Sequence, residues 1–559
     1  MKKSNVFHGF GFVLGLCLVV WQLAGCAGDL RRGDQAPNVA TTASVTPQPY
    51  LSTGFPQVVV VSGTDHEMGV QYGEQTAPAI VHNVAIFKSR CYDGHGRDKV
   101  AKDMQAWNYY LAKHNPAYKD WLQGIVEGCK NKGYEVEYLD LILLMVYPTE
   151  LWARPKAAYP AETKVAASAQ NSPAPPSVGT YHACNTFAAK GTMTRDGKPI
   201  HAITSMAATE AMDNVILLAF PKSGASFVSQ TYAGRVNSNY AMNSKGLAWT
   251  MTAIMSDAPA WGMAPEFYFH YLAQIAASPT EALEYLKSTP KGGVTGGFIF
   301  TDASGDISVF EGTADHFQLR RSGDQGETGP FVVQTNHLVD QSLSAYNPKW
   351  LPAIGTYARY DTVFQYLKEA PAGSVDFAFA KNLLASDDWF DVKKSTWNKN
   401  EPGKREVSNS HTSVSQAIFF PADLVAYLET GTPGGIGLPT SATGEYVKVK
   451  LATDPKTVTY NADRDALALY WDAVDSLRHD QNARAAYLTP TIARDIRDKL
   501  DQAFAAYSLG MDRASFANLS TDGKKQIGLW AEAMTYYVNA QLYAQMAKTT
   551  LLKARVSMP

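Results

Sequence analysis

The stretch Tyr181-His182-Ala183-Cys184-Asn185-Thr186-Phe187 holds the side chain best placed for covalent chemistry. Cys184 opens an expected strand, Cys184 to Thr194, behind a long Ala/Pro/Ser segment without periodicity, 155–179. A turn at Asp196-Gly197-Lys198 then leads into a second strand, Pro199 to Thr204. A nucleophile at the head of a strand, behind a disposable linker, points to a chain that cuts itself between Ala183 and Cys184. The cut frees the α-amine of Cys184. An α-amine titrates at about 8 and a thiol at about 8.5, so the two can exchange a proton without a histidine. The thiolate then attacks a carbonyl, first that of Ala183 and later that of a substrate, and water or an amine resolves the acyl-enzyme. Position alone fits an inert buried cysteine better; the ordered motifs given below turn the reading to a nucleophile.

Other side chains are candidates by placement. His201 lies on the strand expected to pair with the Cys184 strand, which would bring it near the thiol, and a satisfied, partly buried histidine fits equally. Thr204, at the end of that strand, could hydrogen-bond the new amine, although a β-branched residue in a strand needs no such role. His182 would leave with the segment before the cut, and His337 and His411 read as packing residues. Zinc chemistry lacks its ligands, since neither His-Glu-x-x-His nor Cys-x-x-Cys occurs. There is no Gly-x-Gly-x-x-Gly and no Walker-type loop. The thiol chemistry calls for no cofactor.

Elements must position these residues. The 559 residues allow several domains, and 45% hydrophobic with 18% charged residues allow a sizeable core. A net charge of −2 with dispersed Lys and Arg gives no nucleic-acid footprint. Five cysteines are too few for a disulfide framework. Val58–Val61 reads as a buried strand, followed by a turn leading into a helix across Gly63–Glu74 that continues to about Lys88, and by helices over Lys99–His114, Trp121–Lys132 and Tyr138–Tyr147. After Cys184 short strands joined by tight turns take over, at Val215–Phe220, Ser226–Thr231, Ser238–Met242, Leu247–Thr252, Gly297–Thr301, Asp306–Glu311 and Phe331–Thr335. Helices are expected at Pro265–Ala276, Thr280–Ser288, Tyr357–Lys368, Val375–Ser386, Arg464–His479, Thr491–Tyr507 and Lys524–Leu551, with further strands at Thr412–Phe420 and Glu445–Thr453. Two strand-rich blocks with helices between them argue for an α+β fold.

The N-terminus reads as a targeting signal, with Lys2-Lys3 before an apolar run, Val6 to Leu23. Leu23-Ala24-Gly25-Cys26 resembles a bacterial lipobox, which implies cleavage before Cys26, acylation of that thiol and anchoring to a membrane of the cell envelope, facing the periplasm. Alanine rather than aspartate at 27 resembles outer-membrane sorting. An uncleaved anchor helix is the alternative. Residues 27–53 read as a flexible tether. In an oxidising compartment Cys91 and Cys129 could pair, or both could be buried thiols.

The motifs, taken together, resemble the penicillin acyl-CoA acyltransferase-like autoproteolytic acyltransferases and hydrolases of the Ntn-hydrolase superfamily. The resemblance rests on Gly63-x-x-x-Glu67-Met68-Gly69-x-Gln71-x-Gly73, Ala183-Cys184-Asn185-Thr186-Phe187, Met242-Asn243-Ser244-Lys245-Gly246-Leu247, the run Gly297 to Gly305, Thr335-Asn336-His337 and the run Ser410 to Ala417, in the family's order. It implies a four-layer αββα core, cleavage before Cys184, and an oxyanion amide on Asn336. It also implies acyl hydrolysis or transfer at a linear amide on a small molecule. One departure stands out: the strand Ile200-His201-Ala202-Ile203-Thr204-Ser205-Met206 lacks the family's carboxylate after the nucleophile. A histidine there resembles the phospholipase-B-like branch, whose ester chemistry is one alternative, and a catalytically silent envelope binding protein is another. The expected organisation is 1–25 signal, 26–54 lipidated tether, 55–183 helical segment ending in a cleaved linker, 184–440 catalytic core, and 441–559 helical extension.

Overall fold

Four consecutive valines set the first layer boundary. In strand β1 (Gln57–Gly63), Val59 and Val61 join one hydrophobic cluster and Val58 and Val60 another, because successive side chains point to opposite faces. A strand apolar on both faces must lie between two layers. The computed structural model describes residues 56–152, 159–160, 183–206, 213–236, 240–254, 259–292, 295–324, 329–349, 351–401, 404, 406–408, 413–429 and 445–557. The segments expected to be a signal and a tether, with Cys26, and nearly all of the expected linker up to His182 lie outside them. The described residues fall in one unit, 50–559.

Thr64 and Glu67 form a capping box that starts helix α1 (Asp65–His95). Then come α2 (Arg97–His114), α3 (Pro116–Asn131) and α4 (Tyr138–Trp152). Helices α1 and α3 cross where Gly69 and Gly73 meet Gly124 and Gly128. A Cβ on Gly124 would fall 2.3 Å from the His66 carbonyl, and one on Gly69 2.1 Å from that of Trp121. Only glycine lets these backbones touch. From the same helix, Gln71 and Gln75 act on the free edge of β1: each side-chain amide both donates to and accepts from one strand residue, Ser62 and Val60 respectively. The open strand edge is thereby closed without another strand.

Strands β2 (Ala183–Ala189) and β3 (Ile200–Met206) follow, then β4 (Asn214–Pro221), β5 (Phe227–Tyr232), β6 (Tyr240–Asn243), β7 (Ala248–Ile254), β8 (Thr295–Thr301), β9 (Ile307–Gly312), β10 (Phe317–Arg321) and β11 (Phe331–Gln334). The later strands are β12 (Trp389–Asp391), β13 (Thr396–Asn398), β14 (Ser413–Phe420), β15 (Val425–Glu429) and β16 (Tyr446–Lys450). One sheet has eight strands in the order β1-β4-β5-β6-β7-β8-β9-β10, with β1 parallel to β4. The other has six, β11-β2-β3-β14-β15-β16.

The layers follow from the clusters. Helices α1–α4, with α5 (Pro265–Gln274) and α6 (Pro279–Ser288), cover the outer face of the larger sheet. Ala188 and Val332 of the smaller sheet meet Ile299, Ile307 and Val309 of the larger between them. Helices α7 (Thr356–Glu369) and α8 (Phe377–Leu384) cover the outer face of the smaller sheet over Phe187, Ala189, Ile200 and Ala202. The order is helix, sheet, sheet, helix, so the α+β, αββα expectation holds. Helices α9 (Pro455–Asn482), α10 (Pro490–Leu519) and α11 (Gly523–Val556) form the C-terminal addition, whose Trp530, Met534 and Val538 join the cluster holding Val58 and Val60.

The structure corrects several details. The strand at Cys184 begins one residue earlier and ends at Ala189, because a 3-10 turn at Gly191–Met193 intervenes before Thr194. Strands β10, β12, β13 and β15 were not foreseen. Cys91, Cys129 and Cys184 are all buried and no disulfide joins Cys91 to Cys129. Burial pushes the Cys129 thiol up to about 12. Among the described residues no helix is long and apolar enough to cross a membrane.

Candidate active site

Strand β2 lies inside the smaller sheet, between β11 and β3, which fixes what can face Cys184. Its pairing with β11 runs from Phe331 opposite Ala189 to Gln334 opposite Thr186. Two residues further, the same register sets Asn336 beside Cys184. The Cys184 N–H accordingly donates to Asn336 Oδ1 at 2.8 Å. Arg359 Nη2 donates to the same oxygen at 2.9 Å, and Asn336 Nδ2 donates to the Ala253 carbonyl at 2.9 Å. A guanidinium only donates, so these partners fix which end of the amide faces Cys184. One N–H of Nδ2 remains beyond the bond to Ala253.

Arg359 binds the nucleophile residue directly. Its Nη1 donates to the Cys184 carbonyl and to Asn185 Oδ1, both at 2.7 Å. Asn185 Nδ2 in turn donates to the Ser408 carbonyl at 3.0 Å. Arg359 has no solvent exposure. Burial pulls its guanidinium down to about 10, and Cys184 and Glu406 act in the opposite sense. Sequence reasoning passed over this residue, although a signal was present. Arg359 shares a helical stripe with Thr356, Val363 and Leu367, all buried, and an arginine on a buried face requires partners.

Cys184 has no exposed surface and faces the space between the sheets. On the same face Thr186 Oγ1 and His201 Nε2 both bond Thr250 Oγ1 of the other sheet, at 2.7 and 2.8 Å. Burial pushes the Tyr232 phenol up to about 12 and raises that of Tyr240, and Cys184 acts in the same sense on both. Tyr240 donates to Ser415 Oγ at 2.8 Å. Two clefts, of about 1020 Å³ and 500 Å³, lie elsewhere; neither is lined by Cys184, Asn336 or Arg359.

The register separates two of the sequence-derived candidates from the thiol. Ser205, not His201, stands opposite Cys184, while His201 pairs with Ala188. Four strand residues place His201 roughly 13 Å along the sheet. Its imidazole is buried on Thr250, Nδ1 has no hydrogen-bond partner among the described residues, and burial drags it down to about 3. Thr204 pairs with Asn185, so its side chain projects from the sheet face opposite the thiol, and its hydroxyl has no partner among the described residues. The expected nearness of His201 to the thiol is thus corrected, because a four-residue offset in a strand adds distance, while Thr204 faces away from the thiol. Asn336 lies beside Cys184, its Oδ1 on the Cys184 N–H. Ala183 begins β2; His182 and His411 lie outside the described residues.

Comparison with known proteins places part of this chain. Residues 195–400 match the model of the family described as acyl-coenzyme A:6-aminopenicillanic acid acyl-transferase. An uncharacterised protein of Archaeoglobus fulgidus is 26% identical over 403 residues, 66% of this chain, and the chain spans 62% of that relative's length. Among solved structures, the Caenorhabditis elegans ortholog of N-acylethanolamine-hydrolyzing acid amidase aligns with a TM-score of 0.30 and 13% identity, covering 48% of this chain and 100% of that one. A conjugated bile acid hydrolase variant from Clostridium perfringens aligns with a TM-score of 0.28 and 14% identity, over 44% of this chain and 89% of that one.

Proposed function

We propose a self-activating cysteine amidase or acyltransferase, a reading that the match of residues 195–400 to the acyl-coenzyme A:6-aminopenicillanic acid acyl-transferase family model supports. The observation that carries the proposal is the Cys184 N–H on Asn336 Oδ1 with Arg359 on the Cys184 carbonyl. These bonds hold the backbone on both sides of the Cys184 Cα, the part that becomes the working N-terminus.

In the uncut chain the Cys184 sulfur adds to the Ala183 carbonyl. The peptide nitrogen leaves with a proton as the Cys184 amine, giving a thioester between Ala183 and Sγ. Water hydrolyses that thioester, releasing the Ala183 carboxylate and the thiol. The new amine keeps Asn336 Oδ1 as its acceptor. The nearby Arg359 charge disfavours the ammonium form, which leaves the amine able to take the thiol proton. A substrate amide is then attacked by the thiolate, and its amine half departs with a proton. The remaining Nδ2 hydrogen of Asn336 is the candidate donor to the oxyanion, a role each such group fills at about 3 kcal/mol of barrier. Water or another amine resolves the acyl-enzyme.

Intact mass and N-terminal sequencing test this, with Cys184→Ala alongside. Two chains, the second starting at Cys184 and absent in the variant, are expected. A single uncut chain in both would leave a silent binding protein. His201 supplies no support for the ester-hydrolase alternative, since it is held on Thr250 rather than beside Cys184. We also propose a lipid on Cys26 and attachment to the cell envelope; labelled palmitate should enter the chain and be lost in Cys26→Ser.

A further inference from the structure

Asn336 sits just beyond the last paired residue of β11, so no strand ladder holds its backbone. Its N–H instead donates to Thr356 Oγ1 at 2.9 Å. The same hydroxyl oxygen lies 3.1 Å from Thr335 Oγ1 and 3.1 Å from His337 Nδ1. Thr335 Oγ1 donates to the Thr356 carbonyl at 3.0 Å. One side chain therefore touches all of Thr335, Asn336 and His337. Proton accounting makes it the hub: Thr335 spends its hydroxyl hydrogen on Thr356 O, so the Thr356 hydrogen goes to Thr335 or His337 while its oxygen accepts from Asn336.

Other parts of the turn are held from different directions. The buried Glu311 carboxylate accepts from the N–H groups of Val339 and Asp340, and Gln334 Nε2 donates to the Thr335 and His337 carbonyls. None of these bonds reaches Asn336 itself. Thr356 and Arg359 lie three residues apart on one face of α7, so a single helical turn grips the Asn336 backbone through one and its side chain through the other.

We infer that Thr356 is a positioning residue, whose hydroxyl sets the Asn336 amide against Cys184 and thereby sets the rate of acyl chemistry there. The inference rests on the reading of Cys184 as the nucleophile. Valine keeps the shape of Thr356 but removes the acceptor, leaving the buried Asn336 N–H unpaired and the amide free to shift. A shift of roughly 1 Å at a reacting centre can cost about a hundredfold in rate.

The test compares self-cleavage at Ala183–Cys184, by the appearance of a chain starting at Cys184, and turnover of hexanoyl p-nitroanilide. In Thr356→Val both rates should fall roughly tenfold to a hundredfold with KM little changed. Thr356→Ser should restore both, and Thr356→Ala substitutes where valine does not fold. Thr362→Val is the control for a merely structural loss; that hydroxyl, on the same helix as Thr356, donates to the Ala358 carbonyl and accepts from the Phe390 N–H of β12. It should lower the melting temperature without slowing either reaction. Equal rates in wild type and Thr356→Val, or equal slowing by Thr362→Val, would overturn the inference. If Asn336→Ala is slow while Thr356→Val is normal, only the role of Thr356 falls. A wild-type chain that is uncut and unreactive brings down the Cys184 reading and this inference together.

Discussion

At the residue scale, the hydrogen bonds around Cys184 converge on Arg359. A planar guanidinium bridges the Cys184 carbonyl, Asn185 Oδ1 and Asn336 Oδ1 at once. Lysine presents a point charge and cannot span that set. Arg359→Lys should therefore slow self-cleavage at least about tenfold, read as the half-time for the Cys184 chain to appear. His201 gives the opposite expectation. Its distance along the sheet and its bond to Thr250 predict that His201→Gln still cleaves itself; an uncut His201→Gln chain that remains folded would put the imidazole back into the chemistry. His201 and His337 are both held down to about 3 by burial, first of all. For a histidine depressed in the folded state, the stabilising contribution is complete above the unfolded value of about 6.5 and is lost as pH falls toward the folded value. Each should cost up to about 1.4 kcal/mol per pH unit across that window. Urea midpoints should drop between about pH 6.5 and about pH 4.5, and drop less in His201→Gln.

At the scale of elements, the glycine crossing between α1 and α3 and the glutamine-sealed edge of β1 explain residues that patterning marked without a reason. Gly69, Gln71 and Gly73 appear together because successive helix positions face the partner helix, the strand edge and the partner helix again. A methyl group on Gly124 would meet backbone at 2.3 Å, which the helices can relieve only by separating. Gly124→Ala should destabilise the protein by about 1–3 kcal/mol, as a loss in urea midpoint with an unchanged slope. An unchanged midpoint would show that the two helices part freely. Register, likewise an element-scale property, decides the site: it sets Asn336 and Ser205 around Cys184 and removes Thr204 to the other face.

At the scale of the whole molecule, the C-terminal helices complete a core rather than decorate it. Trp530, Met534 and Val538 of α11 share a cluster with Val58 and Val60 of β1, and Thr535 donates to the Val58 carbonyl. Removing everything after Thr453 should expose that cluster and yield insoluble protein, checked by the soluble fraction on expression; a soluble, self-cleaving truncation would show the helices to be dispensable. The sequence by itself determined the α+β class, nearly every long helix and the thiol at the head of a strand. Those features are local: periodicity, caps, turn residues and short motifs are written in adjacent positions. Tertiary structure alone decided that Ser205 rather than His201 stands opposite Cys184, that Cys91 and Cys129 form no disulfide, and that Thr356 and Arg359 reach the site from α7. Each of those depends on pairing register or helix docking between segments far apart in the chain, where a shift of one residue turns a side chain to the other face and no local pattern records the choice.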